Sequence, residues 1–210
     1  MIRDFNIYLE EINSEMWKEL CMKHGQLRRC RKGDEFIRIG EVAKYIGFIT
    51  KGSLKYVVYT TDDKEKVIGL ETVGGFAASF PYCLKDIPSE WSVIVNNDSE
   101  LYCISAEKIK ELIREDNQIK QCINETLEAV FYDIYNRHLE LYALSPKERY
   151  EKLLKRCPQL FEIFQLKDIA SYLNITPQHL RRLKNNIPVQ LTNAPIFGCS
   201  SKMQMNLVAL

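Results

Sequence analysis

No stretch of eighteen or more apolar residues occurs in the 210-residue chain, which excludes a membrane-spanning helix. The opening residues, MIRDFNIYLEEINSEMW, place acids in every turn and lack the apolar core of a signal peptide, so a cytoplasmic protein is expected. CxxC pairs are also absent. The seven cysteines, Cys21, Cys30, Cys83, Cys103, Cys122, Cys157 and Cys199, are odd in number and each sits in its own segment. That spacing supports neither a metal cluster nor a disulfide framework, and buried, inert thiols are expected with no metal ligand among them. Histidine is scarce: His24, His138 and His179 fall in unrelated segments. With no Ser/His/Asp or Cys/His arrangement, no metal motif and no phosphate loop, the chain does not read as an enzyme, and no catalytic residue is assigned.

What is present suits a soluble chain with room for two small domains: 46% of residues are hydrophobic and 27% charged. The net charge of +1 conceals an asymmetry. Residues 145–210 hold 10 Lys/Arg against 4 Asp/Glu, whereas residues 1–144 hold 19 against 24. A basic C-terminal third beside an acidic remainder suggests that one end meets a polyanion.

Residues 7–23 put Ile7, Ile12, Met16, Trp17 and Leu20 at helical spacings, which predicts a short amphipathic helix. From about residue 28 short runs rich in β-branched and aromatic residues take over: FIRI, YIGFIT, LKYVVYT, VIGL, WSVIV and LYCIS. Turn formers break them at Gly33-Asp34, Gly40-Glu41, Lys51-Gly52, Asp62-Asp63, Gly74-Gly75 and Asn96-Asn97-Asp98. That rhythm predicts an all-β roll. Helical texture returns with a short helix over 106–114 and a long one from Asn117 to Leu144, free of Gly and Pro. Its stripe Ile123, Leu127, Val130, Ile134, His138, Leu141 is a helix-packing seam, widened by Phe131 and Tyr135. The partner is either the chain's own roll or a second copy of the helix, and the second is favoured. His138, on that seam, reads as an interface histidine rather than a pH sensor. Ser145-Pro146-Lys147-Glu148 forms a capping box with Pro at the first helical position, so a new helix starts there and runs to Cys157-Pro158.

The most informative segment is Leu166–Lys184, LKDIASYLNITPQHLRRLK. A helix-turn-helix needs a small residue where its helices cross, a tight turn four residues later and apolar contacts on both helices. Ala170, Asn174 and the set Ile169, Leu173, Ile175, Leu180 and Leu183 meet those needs, and Thr176 and Pro177 start the second helix. An ordinary helical hairpin would explain the apolar positions but not the second helix's outer face, Gln178, His179, Arg181, Arg182 and Lys184, which carries no acid. Arg pairs with guanine, Gln with adenine, and further cations neutralise phosphates, so this face is expected to bind double-stranded DNA.

A β-roll, a long helix and a C-terminal helix-turn-helix, in that order over about residues 6–187, resemble the cAMP receptor protein/fumarate-nitrate regulator family (Crp/Fnr). ERYEKLLKRCPQL followed by LKDIASYLNITPQHLRRLK is similar to the branch common in Bacteroides-type bacteria. The resemblance implies an α+β chain. Residues 1–116 would be a double-stranded β-helix, a cyclic-nucleotide-binding-like β-roll acting as sensor. Residues 117–144 would be the dimerisation helix, 145–187 the DNA-binding domain and 188–210 an atypical tail. It implies a homodimeric transcription regulator on palindromic operators, with RNA polymerase as a further partner and no membrane. Gln178 and Arg182 match base-reading positions, and Thr176, His179 and Arg181 phosphate-contacting ones.

The sensor pocket departs from that family. Nucleotide-binding members hold the ribose with a Gly-Glu pair and the cyclic phosphate with an Arg-Ser/Thr-Ala segment. The matching stretches here are Val73-Gly74-Gly75-Phe76 and Ser89-Glu90-Trp91-Ser92. The pocket residues would thus be Gly74, Gly75, Phe76, Glu90 and Trp91, with no cation except the nearby Lys85, so cAMP is not expected as a cofactor. Leu70, Phe76, Phe80, Tyr82 and Trp91 suit either an apolar effector or a filled core, the latter preferred. The tail IPVQLTNAPIFGCSSKMQMNLVAL reads as a strand pair, a disordered extension or an altered frame. The competing function is a protein-interaction module whose tail blocks the helix-turn-helix.

Overall fold

The computed structural model describes residues 6 and 8–186. The tail 188–210, Ile7 and Cys199 lie outside them. The chain begins with α1 (Tyr8–Glu11) and α2 (Ser14–His24). The single helix expected over 7–23 is therefore two. Asn13 explains the break, because its side chain accepts the Met16 amide at 3.0 Å and so caps a new helix rather than continuing the old one.

Six strands follow: β1 (Gln26–Cys30), β2 (Glu35–Ile37), β3 (Tyr45–Tyr59), β4 (Glu65–Glu71), β5 (Phe76–Ala77) and β6 (Ser92–Ser105). They form one antiparallel sheet in the order β1-β6-β3-β4, with β2 on β6 and β5 on β3. YIGFIT and LKYVVYT, expected as two strands, are one 15-residue strand; WSVIV and LYCIS are likewise one of 14. Lys51-Gly52 and Asn96-Asn97-Asp98 bend the paired strands instead of ending them, and the β3–β6 register shifts between Ile49 and Leu54. Gly52 is required there: its φ is +92°, and a Cβ would stand 2.1 Å from Ser99 Oγ.

The sheet's main core gathers Ile46, Ile49, Leu54, Leu101 and Ile104 with Trp17 of α2. α3 (Ala106–Glu115) and α4 (Asn117–Ala143) close it through Ile109, Ile119 and Ile123. Trp17 Nε1 donates to Thr126 Oγ1 at 2.7 Å, which fixes the first half of α4 to α2.

The remaining helices are α5 (Pro146–Arg156), α6 (Leu160–Ile163), α7 (Leu166–Tyr172) and α8 (Pro177–Asn186). The Ser145 capping box forms as expected, Ser145 Oγ accepting from Glu148 N and Glu148 from Ser145 N. These helices build a second core from Tyr150, Leu160, Ile169 and Leu180, which also takes in Val57, Val67 and Leu70 of β3 and β4. Polar contacts reinforce that junction. Ser171 Oγ accepts from Val67 N at 2.9 Å, and Asn96 Nδ2 donates to Ile163 O at 2.9 Å. Lys55 reaches Glu65 at 2.5 Å and Asp168 at 3.3 Å. Burial alone would lower the Lys55 ammonium, but its hydrogen bond to Glu65 and the Asp168 charge outweigh that and hold it above the ordinary value.

Cys21, Cys83, Cys103, Cys122 and Cys157 are buried thiols outside any disulfide, and no metal-ligating cluster exists among the described residues. Burial pushes Cys21 and Cys103 up to about 12, so neither is a thiolate at neutral pH.

Candidate nucleic-acid interface and effector cavity

The α7–α8 pair is held by the residues the spacing singled out. Ile169, Ala170, Leu173 and Leu180 are at most 4% exposed. Asn174 turns the chain at φ +53°, and Ile175 N donates back to Ala170 O at 3.0 Å. Thr176 Oγ1 accepts the His179 amide at 3.2 Å, so Thr176 caps α8 as expected. With Leu180 directed inward, Gln178, His179, Arg181, Arg182 and Lys184 are all exposed. Arg181 and Arg182 stand free of the protein core, whereas Lys184 leans back over the Phe161 ring at 4.2 Å. α8 thus presents an outer surface without a carboxylate, on a rigid internal wedge.

α4 is divided. Its first half is covered by the sheet and α2, with Ile119, Cys122, Ile123 and Thr126 buried. Its second half exposes Phe131 (67%), Tyr132 (69%), Ile134 (54%), Tyr135 (50%) and Tyr142 (79%). Phe131 and Tyr135 stack at 5.8 Å, and His138 packs edge-on against Tyr142 at 5.1 Å. So broad an apolar face on one helix is what a protein surface covers when it has a partner.

Between the sheet and α4 lies a cavity of about 250 Å³. The expected filled core is absent there. Its aromatic walls are Tyr8, Tyr56, Phe76, Phe80 and Trp91, and α4 contributes Thr126, Val130, Asp133, Ile134 and Arg137. Of the five expected pocket residues, Phe76 and Trp91 line it. Gly74 and Gly75 form the neighbouring turn. Glu90 does not reach it: Ser89 is the inward residue, its Oγ joined to Ser79 Oγ at 2.8 Å and Trp91 O at 2.7 Å, which leaves Glu90 exposed. Lys85 is also exposed and off the cavity wall, and Leu70 belongs to the C-terminal core.

Neither acid in this cavity, Glu71 or Asp133, stands out in the sequence pattern. Glu71 lines it, and its Oε2, bonded by the Tyr8 hydroxyl at 3.1 Å, lies 2.2 Å from where a Gly75 Cβ would stand. Glycine at 75 is what makes room for that carboxylate. Among the described residues, Arg137 is the cation on the wall, and it packs over the Tyr172 ring of α7 at 4.7 Å. Burial opposes its charge, but Tyr172, Asp133 and Glu71 outweigh that and hold the guanidinium above its ordinary value.

Residues 27–116 match the family model of the cyclic nucleotide-binding domain. Among solved structures, the c-di-GMP responsive global regulator CLP of Xanthomonas campestris is similar at a TM-score of 0.65 and 17% identity, over 83% of this chain and 91% of that one. FixK2 of Bradyrhizobium japonicum gives 0.67 and 16%, over 79% and 85%. A chain from Eubacterium rectale described as a transcriptional regulator of the crp/fnr family gives 0.64 and 16%, over 89% and 88%. No curated protein matches this chain. No helix among the described residues is long and apolar enough to cross a membrane. Residues 27–116 are therefore similar to the cyclic nucleotide-binding domain family, and the chain shares the fold of those solved structures.

Proposed function

We propose that the chain is a homodimeric transcription regulator of the Crp/Fnr type that binds palindromic DNA through α8 and senses an effector other than cAMP. Residues up to 116 form the sensor, α4 the dimer helix, and residues 145–187 the helix-turn-helix domain. The observation that carries the reading is the acid-free outer face of α8 on its buried Leu180 wedge. A helix of that kind fits the major groove, where Gln178 and Arg182 reach base edges and Thr176, His179, Arg181 and Lys184 contact phosphates. RNA polymerase is the further partner of such a regulator. The likeness of residues 148–184 to the Bacteroides-type branch supports the same reading.

Two α8 helices on a dimer meet half-sites about one helical turn apart. Arg182→Ala is expected to cost about 1–3 kcal/mol on the preferred operator and to relax sequence preference. Arg181→Ala weakens specific and random DNA alike. Fluorescence anisotropy with operator and scrambled duplexes, over a salt series, reads both. Salt-independent binding, or the two variants exchanging behaviour, overturns the assignment.

The cavity argues against cAMP on charge. Among the described residues, a cyclic phosphate entering it meets the carboxylates of Glu71 and Asp133, and the Arg137 guanidinium is already engaged with Tyr172. Calorimetric titration with cAMP and cGMP is expected to show no binding. A micromolar dissociation constant for either nucleotide refutes it.

A further inference from the structure

A second, smaller hollow lies where α4, α5 and α7 meet, and one side of α5 lines it with cations. Arg149, Lys152, Leu153 and Arg156 all reach its wall, and their spacing of three, four and seven residues puts them on one face of the helix. Arg137 of α4 stands on the opposite side, with Leu173 from the end of α7. Two carboxylates share the wall: Glu140 pairs with Lys152, and Asp133 supports the charge of Arg137.

Two guanidinium nitrogens at this hollow, Arg149 Nε and Arg156 Nη2, are buried with no acceptor among the described residues. The rest of the Arg149 fork is engaged, Nη1 donating to Leu144 O at 2.6 Å and Nη2 to Leu173 O at 3.1 Å. The Arg156 side chain has no hydrogen bond or ion pair among the described residues. A guanidinium cannot shed its proton, so an unpaired one held away from water keeps its full cost. Native interiors leave few such donors, and two beside one hollow point to an acceptor from outside the chain.

Chemistry and size select that acceptor. Water satisfies a donor but leaves its charge in place, whereas an oxyanion answers both, and the planar arginine fork matches phosphate or sulfate oxygens. The hollow measures about 50 Å³. One water needs about 10–15 Å³ of such space, so a tetrahedral ion with four oxygens fits and a nucleotide does not. We propose that this hollow is a binding site for a small tetrahedral oxyanion, phosphate or sulfate, held by Arg156 and Arg149 with Lys152 and Arg137 beside them. It is distinct from the effector cavity and fastens α5 to the long helix α4.

The test titrates inorganic phosphate and sulfate calorimetrically into the full chain without DNA, at an ionic strength held constant with chloride. Both are expected to bind saturably, with dissociation constants of about 1 mM or tighter, and to raise the melting temperature where chloride does not. Arg156→Gln is expected to weaken phosphate about tenfold, because it removes a charged donor. On the unaltered chain, phosphate is expected to slow hydrogen exchange in α5 and at the end of α4 but not in α8, a result that stands even if the variant misfolds. No saturable binding at millimolar phosphate, an affinity that Arg156→Gln leaves unchanged, or protection confined to α8 overturns the proposal.

Discussion

Phe131→Asp/Tyr135→Asp is expected to convert the proposed dimer to a monomer of 24.6 kDa, with the sheet and α5–α8 intact. Both rings are at least half exposed and stack on each other at 5.8 Å, so they contribute little to the protomer's own core. In the proposed dimer they lie on the helix–helix seam, where two added carboxylates per protomer must lose their water. DNA affinity falls with the dimer. On the proposed reading two linked α8 helices gain about 10²–10⁴ over one through effective concentration, and the variant is expected to lose that factor on a palindromic site. Multi-angle light scattering at micromolar protein checks the mass and anisotropy the affinity. If the unaltered chain is a monomer there, or the variant remains a dimer, the seam lies elsewhere.

The split within α4 shows why this face was only partly legible. The stripe Ile123, Leu127, Val130, Ile134, His138, Leu141 is continuous in sequence, yet Ile123 is 2% exposed and Ile134 is 54%. Helical spacing identifies an apolar face but not what covers each part of it, since that depends on where the sheet ends. Signals confined to a few neighbouring residues did carry through. The capping box at Ser145, the left-handed Asn174 and the Thr176 cap depend on contacts within about one helical turn, so the residues themselves specify them. Features that require distant parts of the chain to approach carry no such local signal. Gly52 reads as the end of a strand, and becomes a bend because Ser99, far along the chain, crosses it within van der Waals contact. Glu71 gave no signal as a cavity residue, because its role depends on space left by Gly75 and on the hydroxyl of Tyr8. Counting along the family pattern puts Glu90 in the pocket, but the alternation that turns Ser89 inward turns Glu90 out.

Lys55→Met is expected to destabilise the chain by about 3–5 kcal/mol, because it removes one side of a buried ion pair and leaves the other uncompensated. Asp168 is 4% exposed and Lys55 9%, so neither charge is well screened by water. Asp168→Asn is milder, at about 1–3 kcal/mol, because Lys55 keeps Glu65 at 2.5 Å while losing a partner at 3.3 Å. Replacing both, as Lys55→Met/Asp168→Leu, recovers much of the loss, since apolar groups there extend the core formed by Val57, Val67 and Ile169. The pH dependence has a definite sign. The folded-state value of Lys55 is raised, so the stability it contributes is fully present below the unfolded value near 10.5 and is lost as pH rises through the higher folded one. Between pH 6 and 9 the difference between the unaltered chain and Lys55→Met is therefore constant, and it narrows only in strong alkali. Urea unfolding at several pH values measures this, and hydrogen exchange of α7 and α8 reports whether those helices loosen from β4 first. A loss below about 1 kcal/mol for Lys55→Met would mean that water reaches the pair and that α7 is held to the sheet by the apolar contacts alone.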